Sequence, residues 1–348
     1  MNILSTIFWA VLVLGFLIFV HELGHFIFAR LFRVKINEFS LGMGPRLVWY
    51  DSKKTGIKYS LAMFPLGGFV SMAGENDESD DPNSFDKKPA WQRLIISLAG
   101  PFVNILVGLI MMMILTCFIN IGSTTVTRFM DRDAGVVSSE SSGLMVGDEV
   151  VRVDGKRVRF YDELYYEILR SGHEPCDITV IRDGEEITLN DVVFPTQQSS
   201  GQVFGIMDFN VKAADGGFFE SIGYAFSKTV LTVRMCVEGI VDLIRGRFTL
   251  EGVSGPVGIS EAIGEAARTD HLSLINLVGF ISINLGIMNL LPIPALDGGR
   301  SLLLCVEMIT KKRIPPKIEN TINAVALALL LGLSVLIMFK DAFQIIAR

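Results

Sequence analysis

Cysteine and histidine are both scarce in this chain of 348 residues, with four of each. The cysteines, Cys117, Cys176, Cys236 and Cys305, include no pair at metal or redox spacing, so no disulfide framework or cysteine metal site is expected, and all four are read as small apolar fillers. Charge is thin too. Charged residues make up 20% of the chain against 50% hydrophobic, and mean hydropathy is +0.46. Charge is missing altogether from Ile3–Val20, Leu94–Ile119, Leu272–Leu291 and Thr321–Phe339. Each stretch is close to the roughly 20 residues a helix needs to cross a bilayer, so four membrane spans are expected. The first run has nothing basic before it in Met1–Thr6 and no small-residue cleavage site after it, which argues against a cleaved signal peptide.

What stands out against this background is His21-Glu22-Leu23-Gly24-His25, at the end of the first apolar run. On a helix the four-residue spacing puts both imidazoles on one face, within reach of a single Zn²⁺, with a glutamate beside them to deprotonate a water. Zinc lowers the pKa of its water to about 7, which makes hydroxide available at neutral pH. The bland alternative is a pair of structural histidines at a helix end, but ionisable groups at membrane depth are costly and mark functional sites by default.

Lysine and arginine set the expected orientation. Arg30, Arg33, Lys35, Arg46, Lys53, Lys54, Lys58, Lys87 and Lys88 lie between the first and second spans, and Lys311, Lys312, Arg313 and Lys317 between the third and fourth. Both connections are therefore expected in the cytoplasm, with both termini and the segment from about 120 to 271 outside.

Two histidines and a water leave zinc one protein ligand short. Asp297 is the single carboxylate between Asp270 and Glu307, and it follows the third span. The first and third spans both run from outside to inside, so the histidines and Asp297 are expected at matching depth. Asp297 also precedes Gly298-Gly299 and could form a turn there, which is compatible with ligation. Pro292 and Pro294 stop a regular helix and free backbone groups, tolerated at that depth where they line a cavity. Asn284 and Asn289 carry amides that could bind an unwound substrate backbone or join helices.

Together these residues resemble the site-2 protease family of intramembrane zinc metalloproteases, in its bacterial regulator-of-sigma-E protease branch (RseP/RasP type). The likeness spans nearly the whole chain. It rests on the histidine motif, Ala99-Gly100-Pro101-Phe102-Val103-Asn104, an outer PDZ-like insert, Gly255-Pro256-Val257-Gly258-Ile259, and Asn289 through Leu296-Asp297-Gly298-Gly299. The resemblance implies Glu22 as catalytic base, His21, His25 and Asp297 as Zn²⁺ ligands, and a substrate site lined by Asn284 and Asn289; Pro292 and Pro294, with their freed backbone, and the Gly67-Gly68 turn are expected to bind substrate beside them. It also implies a membrane-dipping β-loop after the first span. Leu61–Met72, broken by Pro65 and Gly67-Gly68, reads as short strands joined by a turn, whose edge could hold an extended substrate by backbone pairing. A plain surface hairpin is the alternative.

The fold expected is an α-helical polytopic membrane protein with four transmembrane helices, a membrane-associated β-loop and an inserted extracytoplasmic PDZ-like α+β domain. Residues 1–122 hold the first two spans, the zinc motif and the β-loop. Residues 123–197 form the PDZ-like domain, with strands at Glu149–Val153, near Asp177–Ile181 and near Glu186–Val193 and a helix at Tyr161–Arg170. It resembles the single-domain members, and the residues leave open whether it grips peptide or acts as a steric filter. Residues 198–268 contain an amphipathic helix on the membrane surface, with Arg234, Glu238, Asp242 and Arg245 on one face, and 269–348 hold the last two spans. Gly74–Pro89 reads as an exposed acidic loop without chemistry.

The expected activity is hydrolysis of peptide bonds in or near the spans of single-span membrane proteins, such as anti-sigma factors or signal-peptide remnants. The expected partners are those substrates and the lipid bilayer, with no nucleic acid and no small-molecule cofactor besides zinc. A metal-stabilised scaffold has no use for Glu22 beside the ligands. A metal transporter needs polar residues along several spans, which the uncharged runs do not offer.

Overall fold

Four helices are long and apolar enough to cross a membrane among the residues that the computed structural model describes, which are 3–75, 79–130, 138–199, 202–214, 217–247, 255–313 and 315–346. They lie in α1 (Ile3–Leu31), α2 (Ala90–Thr116), α6 (His271–Leu290) and α8 (Pro316–Ile346), in register with the four uncharged runs. The chain is a polytopic membrane protein. Helix α1 continues about ten residues past His21, so the histidines sit inside the helix rather than at its end. The chain divides into two compact units, Met1–Met111 with Val253–Arg348, and Met112–Gly252.

In the first unit the apolar spans pack through small residues. A Cβ on Gly24 of α1 would fall 2.6 Å from the Ala99 carbonyl oxygen of α2, so the two backbones approach as only glycine permits. Pro101 lies within α2 and the helix carries on, as membrane helices tolerate. Asp270 caps α6 by accepting the Ser273 amide at 2.7 Å. Helix α5 (Pro256–Thr269) begins with proline in its first turn, and the buried Asp341 carboxylate accepts the amides of Gly255 and Gly258 at 2.8 and 3.1 Å. That carboxylate accounts for the Gly255–Ile259 motif as the start of a capped helix. Helix α5 packs on α1, where Val13 and Leu17 join Ile263 and Val278 in one buried cluster.

The β-loop proves larger than expected. Strand β1 (Ile36–Asp51) precedes β2 (Lys58–Met72), and the two form one sheet. Leu41 faces both Gly68 and Leu61, so the middle of the sheet is the first half of β1, while Arg46–Asp51 pair back along Ala62–Lys58. Residues 68–72 thus form an edge, with β1 as the strand that pairs with it among the described residues. A core of Ala29, Val34, Ile36, Phe39, Val70, Met72, Phe85 and Ile96 holds this sheet against α1 and α2. Strand β1 is not legible in the sequence, because its second half has no clean alternation of buried and exposed residues.

The second unit carries a six-stranded sheet of β3 (Gly122–Phe129), β4 (Glu149–Val153), β5 (Lys156–Arg157), β6 (Cys176–Arg182), β7 (Glu185–Val192) and β10 (Phe209–Ala213), in the order β10-β3-β4-β6-β7 with β5 on β4. Helix α3 (Tyr161–Ser171) buries Leu164 and Ile168 against this sheet, in a core with Val150, Val153, Ile178, Val180 and Phe209. The strands and helix read from sequence are present within a residue or two. Strands β3 and β10 and the hairpin of β8 (Thr196–Ser199) with β9 (Gln202–Gly205) were not read, and the sheet therefore runs past residue 197. Helix α4 (Phe218–Ile244) presents Arg234 and Glu238 to α3. Arg234 bonds Glu167, Tyr166 donates to Glu238 at 2.6 Å, and Arg170 pairs with Glu238 and Asp242 at 3.2 and 2.9 Å. All four cysteines are free.

Candidate active site

His21 and His25 are one turn apart on α1, and both are buried at 9% exposure. Asp297 is the first residue of α7 (Asp297–Thr310), which starts once the chain has turned after α6. Pro292 and Pro294 sit in that turn, where they end α6. Ala295 follows at φ 72° with its amide on Asn323 Oδ1 at 3.0 Å, and the Ser97 hydroxyl holds the Asp297 carbonyl at 3.2 Å. The local proline turn and two distant residues, Ser97 and Asn323, therefore aim Asp297 at the histidines.

The three donor atoms form a near-equilateral triangle. His21 Nε2 and His25 Nε2 are 3.2 Å apart, and Asp297 Oδ2 lies 3.1 Å from the first and 3.4 Å from the second. A tetrahedral Zn²⁺ with bonds of about 2.0–2.2 Å spaces its ligand atoms roughly 3.3 Å apart, so the donor set fits the ion.

The other ring nitrogens fix this orientation. His25 Nδ1 donates to the Ile96 carbonyl at 2.8 Å, which leaves the Nε2 lone pair facing the centre. His21 Nδ1 meets the side-chain amide of the fully buried Asn104 at 3.2 Å, while Asn104 Oδ1 has no partner. Turning that amide by half a rotation gives Oδ1 the Nδ1 hydrogen and frees His21 Nε2 for a metal. Asn104 belongs to the motif at residues 99–104, but its spacing from His21 carries no local signal of this role. Gly100, in the same motif, is an absence with a purpose. A Cβ there would lie 2.4 Å from His25 Nε2 and 2.9 Å from His21 Cε1.

These groups border a cavity of about 670 Å³ lined also by Glu22, Met43, Gly67–Met72, Glu75, Asn289, Ala295, Leu296 and Arg300. Strand β2 passes directly beside Glu22, since a Cβ on Gly68 would meet Glu22 Cγ at 2.9 Å. Of the residues expected here, His21, Glu22, His25, Gly67, Gly68, Asn289 and Asp297 come together. Asn284, Pro292 and Pro294 are not among the lining residues. Asn284 donates to its own helix at Phe280 O, 2.8 Å away. Five residues turn a helix by about 140° beyond a full turn, so Asn284 and Asn289 cannot share a face. Glu75 and Arg300 enter the cavity unforeseen, brought by tertiary packing from a loop read as exposed and from beyond Asp297.

The sequence profile of peptidase family M50 matches residues 9–333. A protein of Clostridium acetobutylicum with the provisional name of zinc metalloprotease is 32% identical over 95% of this chain and 96% of its own length. One of Clostridium perfringens with the same kind of name is 34% identical over 96% and 98%. The regulator of sigma-W protease RasP of Bacillus subtilis is 24% identical over 97% and 98%. With a family match along most of its length and relatives of this kind, the chain belongs to peptidase family M50, the site-2 protease family, and is an intramembrane zinc metalloprotease.

Proposed function

We propose that this protease hydrolyses peptide bonds within or beside the membrane-spanning segments of single-span membrane proteins, with His21, His25 and Asp297 holding the zinc and Glu22 as the general base. The observation that carries the reading is the donor triangle of 3.1–3.4 Å with Glu22 on the same cavity. Bound zinc supplies Lewis acidity and a water whose pKa falls to about 7. Glu22 takes the proton from the attacking water and delivers it to the leaving amide nitrogen, which departs as an amine. Ile96 and Asn104 hold the imidazoles in place through both events.

A helix hides its peptide bonds in its own hydrogen bonds, so the substrate must be extended before attack. The edge formed by residues 68–72 offers backbone groups to such a segment, beside Glu22, and the Asn289 amide offers one more partner. Membrane-anchored anti-sigma factors or signal-peptide remnants are the proposed substrates, in regulated intramembrane proteolysis, and one relative is named as a regulator of sigma-W. Residues 123–197 are read as a PDZ-like domain because Ser142-Gly143-Leu144-Met145-Val146-Gly147-Asp148 resembles the PDZ signature of protease-associated domains and because α3 packs on the sheet.

The lysine and arginine distribution supports cytoplasmic ends for α1 and α6, with the termini and the PDZ-like segment outside. Purified protein with a single-span reporter, with and without a chelator, tests the activity. Cleavage is expected without chelator and none with it. Single cysteines at the exposed positions 312 and 183 are expected to label from the cytoplasmic and the outer side respectively; the reverse pattern inverts the orientation.

A further inference from the structure

The edge of the β2 strand next to the cavity is not entirely open. The Met72 amide gives its hydrogen to a side chain, Glu75 Oε2, at 3.2 Å. Alternate residues of a strand point the same way, so the amides of Met72, Val70 and Gly68 share one edge. Glu75 therefore occupies, with a carboxylate oxygen, the place where the carbonyl of an added strand would sit.

Glu75 is itself held firmly. Arg300 Nη1 bonds Glu75 Oε1, and Arg300 Nη2 donates to the Glu75 carbonyl at 2.8 Å. The guanidinium lies over the Phe85 ring, 5.0 Å from its centre, and its Nε faces Glu319 Oε1 at 3.5 Å. Arg300 follows Asp297 by one turn of α7. The carboxylate on the strand edge is thus tied to the same helical turn that brings Asp297 to the histidines.

We infer that Glu75, fixed by Arg300, caps the edge of residues 68–72 and sets the register of the substrate strand, and with it which peptide bond reaches Glu22. The inference rests on the reading that substrate adds to this edge. Strand pairing ends at Met72, so an extended segment is left the Val70 and Gly68 positions and has no freedom to slide past the cap. Removing the cap lengthens the available edge. A slip of one residue turns every side chain to the other face, whereas a slip of two preserves the facing pattern, so the released strand moves in steps of two. Glu75 is in this sense a specificity-determining residue that does not touch the reacting bond.

The test maps cleavage positions by mass spectrometry of products from one single-span reporter with a non-repeating apolar span. Wild type is expected to cut at one bond. Glu75→Ala and Arg300→Gln are each expected to spread cleavage over bonds two residues apart, whatever their overall rate. Glu75→Gln keeps an oxygen for the Met72 amide and is expected to retain the single position. Cleavage by both Glu75→Ala and Arg300→Gln at the wild-type bond alone overturns the inference, even with rates reduced. Should Glu75→Ala fail to fold or hold zinc, Arg300→Gln decides by the same criterion. Chelator-sensitive cleavage by the wild type is the separate check on the reading beneath.

Discussion

His21 Nε2 lies 3.1 Å from Asp297 Oδ2, although the two residues come from helices near opposite ends of the chain. Unscreened by a cation, a half-buried carboxylate and two imidazole lone pairs have little reason to converge. Replacing any of the three proposed ligands by alanine, at position 21, 25 or 297, should lower zinc content well below one ion per chain. Metal analysis of the purified variants checks this, and an Asp297→Ala protein with full zinc and activity removes the third ligand.

Glu22→Gln should keep the fold and the zinc while cleavage falls by about 10²- to 10⁴-fold, the usual cost of losing a general base. The amide has nearly the same shape, so packing beside Gly68 is preserved. Reporter cleavage at the wild-type rate would eliminate Glu22 as the base.

Asn104→Leu leaves His21 Nδ1 without a polar partner in a buried site. Zinc affinity should drop by about 10- to 100-fold, as for outer partners of metal-binding histidines generally. Competition with a chelator of known affinity reads the change directly, and unaltered affinity rejects the orienting role.

Two glycines in apolar helices should respond in opposite ways. A Cβ at Gly100 intrudes on both imidazoles, whereas at Gly15 it meets nothing within 4 Å. Gly100→Ala is expected to lose zinc and activity, and Gly15→Ala to keep both. Zinc retained at full occupancy in Gly100→Ala contradicts the steric argument.

In the second unit, burial pushes the Asp148 carboxyl up, but hydrogen bonds from Arg182 at 2.7 and 2.8 Å and from the Met145 amide outweigh it and hold it below the usual carboxylate range. A carboxyl depressed by folding stabilises the fold above its unfolded pKa of about 3.9, and that stabilisation is lost as pH falls through the lower folded value. Arg182→Ala should cost about 3 kcal/mol at pH 7, and the difference from wild type should shrink below about pH 4. Thermal unfolding of the full chain in detergent at both pH values measures it; an equal penalty at each pH argues against the ion pair.

The spans, the histidine pair, Glu22 and the candidacy of Asp297 were all legible in the sequence. Each depends on local spacing or on the absence of charge, and helix periodicity turns such spacing into shared faces without help from the rest of the chain. The strand and helix succession from Glu149 to Val192 was legible for the same reason, because Asp154-Gly155 and Asp183-Gly184 mark its turns.

Tertiary structure decided the rest. Asn104 reaches His21 through the packing of α2 on α1, and Gly100 is needed only because that packing is so close. Asn284 and Asn289 looked equivalent as amides in one apolar helix, yet the cavity accepts one, because the fold chooses which face of α6 turns inward. Glu75 stood in a loop with many acidic neighbours and nothing to distinguish it. Its place on the strand edge comes from Arg300, far along the chain, and contacts between distant segments leave no periodic trace in either one.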